Sequence, residues 1–197
     1  MIFPIFPLNG AVLFPNTNLP LNIFEERYIE MVDYALKNNR LIGMVQKKES
    51  GDLFNIGCLG KITNFTETAE RRYEINLEGI NRFTIKKINK NNLKFITVEG
   101  ENLNYNSSFK KDTVGLFQKL LLNFKKYLSV KKINFNTLDF ESLDVLSLAK
   151  IICVILPLDH VTKQMLLELN NSEDFCENLI SVLEIEIINK EQVPKIN

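Results

Sequence analysis

The sequence predicts an α+β fold, with an N-terminal β-barrel lobe over residues 1–103 and a C-terminal four-helix bundle lobe over residues 109–189. Three observations predict it. Between Ile56 and Leu103 apolar residues come in short runs, several of them alternating with polar ones, the mark of half-buried strands. After Ser108 they recur at helical spacing. Between the two regions, Asn102–Ser108 is a polar stretch where the composition shifts.

The elements follow in order. Pro4, Pro7, Pro15 and Pro20 interrupt an opening run rich in Phe3, Ile5, Phe6, Leu13 and Phe14. Proline has no N–H to give a ladder, so these pieces are predicted as short edge strands and turns rather than central strands. Asn9-Gly10 between apolar runs predicts a hairpin, since both residues tolerate positive φ. Tyr28, Met31, Val32, Ala35 and Leu36 form a helical stripe, with Glu25 and Glu26 in the first turn where the helix dipole favours negative charge. Leu41–Val45 reads as a buried strand and 47–55 as a polar loop. Tyr73, Ile75 and Leu77 alternate with polar residues. Phe83 and Ile85 do so again, on what reads as a partner strand beyond Gly79. Leu93–Val98 is a further strand, and short strands at close spacing predict a small closed or half-closed barrel.

In the second half, Phe117, Leu120, Leu121, Phe124 and Leu128 form one wide stripe. Asp139 is read as N-cap of a second helix through Leu146, Ala149, Ile152, Cys153 and Leu156, which Pro157 stops. That helix is apolar nearly all round, which predicts the buried centre of a bundle packed with the barrel as one unit. Asp159 is read as N-cap of a third helix and Ser172 of a fourth.

Composition excludes several functions. Formal net charge is zero, which argues against nucleic acid as a partner. The N-terminus lacks a basic n-region, so no signal peptide is expected, and no segment is long and apolar enough to suggest a membrane span. Cys58, Cys153 and Cys176 are odd in number and widely spaced, against a disulfide framework and in keeping with a reducing cytoplasm.

Candidate chemistry is sparse. Asn55-Ile56-Gly57-Cys58-Leu59-Gly60-Lys61-Ile62 has the outline of a phosphate-binding loop. Asn55 stands where that loop needs its first glycine, and Ile62 where it needs a magnesium-binding hydroxyl. It reads instead as a strand with close backbone approach at its glycines. His160 is the sole histidine and falls in a helical first turn, and no serine sits in a glycine-flanked elbow. No two of Cys58, Cys153, Cys176 and His160 have zinc-motif spacing, so neither metal nor cofactor is expected. Lys125-Lys126 and Lys131-Lys132 around Tyr127 read as a solvated helix end rather than a phosphate site.

A family resemblance covers nearly the whole chain. Gly10-Ala11-Val12-Leu13-Phe14-Pro15 and Leu19-Pro20-Leu21 with Ile23-Phe24-Glu25 and Arg27-Tyr28 resemble the opening of the Lon N-terminal domain family. Ile42-Gly43-Met44-Val45, Gly57–Ile62 and Leu77-Glu78-Gly79-Ile80-Asn81-Arg82-Phe83 are also similar to it, as are Leu156-Pro157-Leu158-Asp159 and Lys163-Gln164 with Leu166-Leu167-Glu168. The resemblance implies a PUA-like β pseudobarrel followed by a helical bundle.

The ATPase module and Ser-Lys proteolytic domain of a Lon-like S16 peptidase are not found in the sequence. The resemblance therefore implies a stand-alone, non-enzymatic, cytoplasmic polypeptide- or protein-binding module related to proteolysis. Its expected partner is an unfolded or extended polypeptide, or a protein. The alternative is RNA binding, by analogy with other PUA-like proteins. The binding groove is expected along the proline-rich ribbon and the junction of barrel and bundle. Phe14, Phe24 and Tyr28 are the nominated apolar contacts, with Arg27 as a polar handle or an ion-pair partner.

Overall fold

The computed structural model describes residues 1–106, 109, 112–135, 140 and 142–191. It has the predicted α+β composition and divides into two compact units. One comprises Met1–Asn104 with Pro157–Glu168, the other Tyr105–Leu156 with the chain from Leu169. No described helix is long and apolar enough to cross a membrane.

The first unit contains β1 (Ile2–Leu8), β2 (Asn18–Ile23), α1 (Glu26–Lys37), β3 (Leu41–Gln46), β4 (Ile56–Glu67), β5 (Tyr73–Asn89), β6 (Ile96–Leu103) and α4 (His160–Glu168). The strands form one sheet in the order β2-β5-β4-β3-β1-β6. A further pairing of β5 with β6 closes β1, β3, β4, β5 and β6 into a barrel, and leaves β2 on the outside of the first half of β5. Phe3, Ile5, Val45, Leu59, Phe83 and Val98 form the barrel core, with the rings of Phe3 and Phe83 edge to face at 4.8 Å.

Three expectations are corrected. First, β1 is not an edge strand: it pairs in parallel with β3 and antiparallel with β6. The prolines survive because the two ladders divide the strand. Residues Ile2–Ile5 face β6 and Ile5–Leu8 face β3, so Pro4 and Pro7 each lie where only one side is paired. Second, Asn9-Gly10 does turn the chain, with Gly10 at φ +93, but no hairpin follows, because β2 pairs with β5 rather than β1. Third, Tyr73–Asn89 is one continuous strand, not two. Gly79 is its point of closest approach to the 14–17 turn rather than the tip of a hairpin. A Cβ there would lie 2.1 Å from the Phe14 carbonyl oxygen, and Asn16 N donates to Gly79 O at 2.8 Å. Gly57 has the same character on β4. Its missing Cβ makes room for the Met44 carbonyl, so the loop-like 55–62 motif is strand and strand entry.

The second unit contains α2 (Thr113–Lys131), α3 (Val145–Ile155) and α5 (Ser172–Glu191). α3 buries Val145, Leu148, Ala149, Ile152 and Cys153, as its apolar sequence predicted, and with them the side chain of Lys150. Its N-cap is Asp144, which accepts from the backbone of Leu146 and Ser147, whereas the expected cap, Asp139, lies outside the described residues. The cap of α5 is the Asn171 side chain, accepting from Glu173 N at 2.7 Å, rather than Ser172. The predicted third helix of the bundle, α4, belongs to the sheet unit. Its Asp159 cap is as expected, accepting from Val161 N and Thr162 N at 2.9 Å each.

Candidate polypeptide-binding groove

Where β1 ends and α1 begins, the first unit has two open clefts of mixed apolar and polar lining that share a wall and together form a groove. One part, of about 400 Å³, is walled by Phe6, Pro7 and Leu8 from β1 and by Leu21 and Asn22 from β2. Phe24 and Glu25 line it from the connection into α1. The other, of about 300 Å³, is walled by Leu53, Ile88, Phe95 and Ile96. Pro7, Arg27, Tyr28 and Lys47 line both and form the joint between them. Each volume falls at the lower end of what ligand pockets offer, enough to take apolar side chains.

The sequence positions these groups for local reasons. Pro7 stands next to the last residue of β1, at this rim. The α1 stripe buries Tyr28, Met31, Val32 and Ala35, which turns the first turn of the helix towards the end of β1. Tyr28 is 6% exposed, and its ring packs on Phe6 with centroids 4.3 Å apart. The Arg27 guanidinium lies over that ring, 4.4 Å from its centroid, and donates through Nε and Nη2 to one oxygen of Glu25 at 3.0 and 2.7 Å. Burial pushes the Tyr28 phenol above its usual range. The positive charge of Arg27 opposes the shift and the negative charge of Glu25 adds to it. Tyr28 is thus a neutral, amphipathic floor to the groove at physiological pH.

β2 forms one bank of this groove. It pairs only with β5 among the described residues, so its other edge carries backbone groups with no strand partner. Phe24, just beyond it, lines the cleft and is 64% exposed, an unusual position for a phenylalanine.

Three of the four nominated residues, Phe24, Arg27 and Tyr28, meet in this groove. Phe14 does not join them. It is 0% exposed and its carbonyl takes the Thr17 hydroxyl at 2.8 Å in the turn that docks on Gly79. Sequence reasoning missed Lys47, which stands in a segment that reads as an ordinary polar loop. It also missed Phe95, which precedes β6 and carries no periodic signal.

Other candidate groups are accounted for elsewhere. His160 opens α4, and its carbonyl accepts from Gln46 Nε2 at 2.8 Å. All three cysteines are buried. Burial, with Asp144 nearby, pushes the Cys176 thiol up to about 12, away from the thiolate that metal binding needs. No metal-binding cluster occurs among the described residues. Of the basic cluster on α2, Lys131 pairs with Glu186 at 2.7 Å, and Tyr127 is buried.

Residues 2–184 match the ATP-dependent protease La (LON) substrate-binding domain. Among curated proteins, the chain is 27% identical to the Lon protease of Buchnera aphidicola from Acyrthosiphon pisum over 198 aligned positions. That alignment covers 93% of this chain and 25% of the relative. It is 24% identical to the Lon protease of Escherichia coli K12, with the same coverage. The chain thus spans about a quarter of the length of these relatives. Among solved structures, the N-terminal domain of the Mycobacterium avium complex Lon protease superposes with a TM-score of 0.72 at 15% identity, covering 93% of this chain and 98% of that one. A Lon N-terminal domain protein from Xanthomonas campestris superposes with a TM-score of 0.68 at 18% identity, covering 92% and 98%. The structural likeness carries the fold, and the sequence match carries the family: the chain belongs to the Lon substrate-binding domain family.

Proposed function

We propose that this chain is a non-catalytic module that holds extended, apolar polypeptide segments in the groove around Tyr28. The observation that carries this reading is a cleft lined by Phe6, Leu8 and exposed Phe24 and also by Leu21 and Asn22 of β2, a strand paired on one side only among the described residues. Apolar side chains enter the two parts of the cleft while the backbone runs along the strand edge, the added-strand mode of peptide capture. Membership in a family described as substrate-binding supports it. The strand conformation of Ile56–Ile62 supports the non-catalytic part, because that segment offers no phosphate cradle.

The test is calorimetric titration of the whole chain with a neutral peptide rich in aromatic and aliphatic residues. Binding is expected at micromolar dissociation constants or weaker, about −8 kcal/mol or less favourable. It should change little with salt, since apolar burial and backbone pairing are not screened. A parallel assay should find no ATP hydrolysis and no casein cleavage. No peptide binding, together with RNA binding that weakens by orders of magnitude as salt rises, would overturn the reading.

A further inference from the structure

Among the described residues, one cation of the groove has no anionic partner. Arg27 is taken up by Glu25 at 2.7 Å. Lys94 is held by Glu26 and Glu30 of α1, at 3.1 and 2.6 Å. Asp52 accepts from the Ser50 hydroxyl at 2.8 Å. Lys47 has no ion-pair partner among the described residues, although Glu25 and Asp52 line the same cleft. It is half-buried, and it lines both parts of the groove at their joint. A tight turn holds it there: Lys47 bridges Leu53, Phe54 N donates to Gln46 O at 2.9 Å and Lys48 N to Asp52 O at 2.7 Å. A lysine at a water-exposed joint is satisfied by solvent, but a ligand seated in both apolar parts would remove that water. The ligand must then supply the counter-charge, or the buried ammonium costs binding energy.

We propose that the preferred occupant is an extended segment with an acidic side chain between apolar residues, its carboxylate on Lys47 and its flanking side chains in the two apolar parts. This rests on the polypeptide-binding reading above and specifies its substrate class. The acid is internal rather than a chain terminus because the apolar walls continue on both sides of Lys47, with Phe6 and Phe24 on one side and Leu53 and Phe95 on the other.

The experiment titrates the full chain with three peptides of one apolar sequence. The first is end-blocked with a central Asp, the second end-blocked with a central Asn, and the third has the central Asn and a free C-terminal carboxylate. The Asp peptide should bind about threefold to tenfold more tightly than the Asn peptide at low salt, the range of partly exposed charge pairs, and the gap should narrow as salt rises. Lys47→Met should abolish the gap, because the Asn peptide gains affinity once no uncompensated ammonium lies beneath it, and should leave the melting temperature little changed. Lys47→Glu should invert it in favour of a central Lys. Equal binding of Asp and Asn peptides by the unmodified chain would overturn the proposal. So would tightest binding of the C-terminal carboxylate, or displacement of the Asp peptide by single-stranded RNA. Failure of all three peptides to bind would overturn the polypeptide-binding reading itself, whereas good binding of the Asn peptide without a preference for Asp would remove only the role of Lys47.

Discussion

Arg82 Nη1, on β5, donates to the carbonyl oxygen of Leu167 at 2.9 Å and so grips the last turn of α4 from a position 85 residues earlier. Its Nη2 donates to the Asn104 carbonyl at 3.1 Å, and the side chain is 1% exposed. The closing carbonyls of a helix have no intrahelical partner, and a cation there also answers the helix dipole. With nine residues, α4 is too short to persist by propensity. Gln46 Nε2 holds its first carbonyl, and Gln164 Nε2 reaches from its middle to Ile56 O at 3.0 Å. Arg82→Met leaves the buried Leu167 carbonyl and the part-buried Asn104 carbonyl without this charged donor and should cost about 3 kcal/mol, mostly at the buried one. The melting temperature should then fall by about 6 to 12 °C for a chain of this size. Urea unfolding of both proteins measures it, and an unchanged midpoint would show that the grip on α4 contributes nothing.

At the other end of α4, Asp159 is the cap. The Thr162 hydroxyl and the amides of Thr162 and Val161 all donate to its carboxylate, and they hold its pKa below the ordinary aspartate value. A depressed carboxylate contributes stability that is present above the unfolded pKa, near 4, and is lost as pH falls through the folded value. Asp159→Ala should therefore destabilise by about 1 kcal/mol at neutral pH, as cap removals do. The deficit should shrink towards zero in acid. Paired urea titrations at neutral pH and in acid read this directly, and a deficit that persists in acid would mean the charge is irrelevant to the cap.

Tyr73 Oη donates to Asp33 Oδ1 at 2.7 Å, linking β5 to α1. That bond, with burial and the charge of Asp33 behind it, raises the phenol to about 12. Here the folded pKa exceeds the unfolded value, so the stabilisation is full below about pH 10 and disappears as pH climbs through the folded value. Tyr73→Phe should lower stability at neutral pH and flatten its alkaline decline. It should also remove one late-titrating phenol from the ultraviolet titration of the folded chain. If the late phenol remains in the variant, it belongs to another tyrosine.

How much of this was legible depended on whether the deciding partner was near in sequence. The α1 stripe needed only the spacing of Tyr28, Met31, Val32 and Ala35, and all four are buried. The Asp159 cap needed only its own next turn. By contrast, Gly79 looked like a hairpin tip because glycine between alternating runs is ambiguous on local grounds. What meets Gly79 in the structure is the backbone at Phe14, far away in sequence. The odd-numbered alternation of Tyr73, Ile75 and Leu77 does continue in phase to Phe83 and Ile85, a signal for a single strand that was available. Pro4 and Pro7 suggested an edge because proline reports a missing donor, and not which side lacks a partner; the split ladders of β1 lie outside any local rule. The same holds at the groove. Phe14 and Phe24 sit in one proline-broken apolar run and are indistinguishable by pattern, yet one is sealed by the turn on Gly79 and the other stands in solvent.

That difference makes the pair a test of where binding resides. Phe24 is mostly exposed, so Phe24→Ala removes little buried surface and should leave the melting temperature within about 1 °C. If its ring covers a bound segment, its loss should weaken peptide binding by about fivefold to tenfold, the cost of truncating one apolar contact at an interface. Phe14 is fully buried, so Phe14→Ala opens a cavity and should cost about 3 to 5 kcal/mol of stability. Its effect on affinity, measured below the unfolding transition and corrected for the folded fraction, should be small, because it lines neither part of the groove. The two variants are thus expected to separate cleanly, one in titration and the other in unfolding. A Phe14→Ala protein that remains folded but no longer binds peptide would show that the 14–17 turn, which docks on Gly79 and leads directly into β2, positions the strand edge on which capture depends.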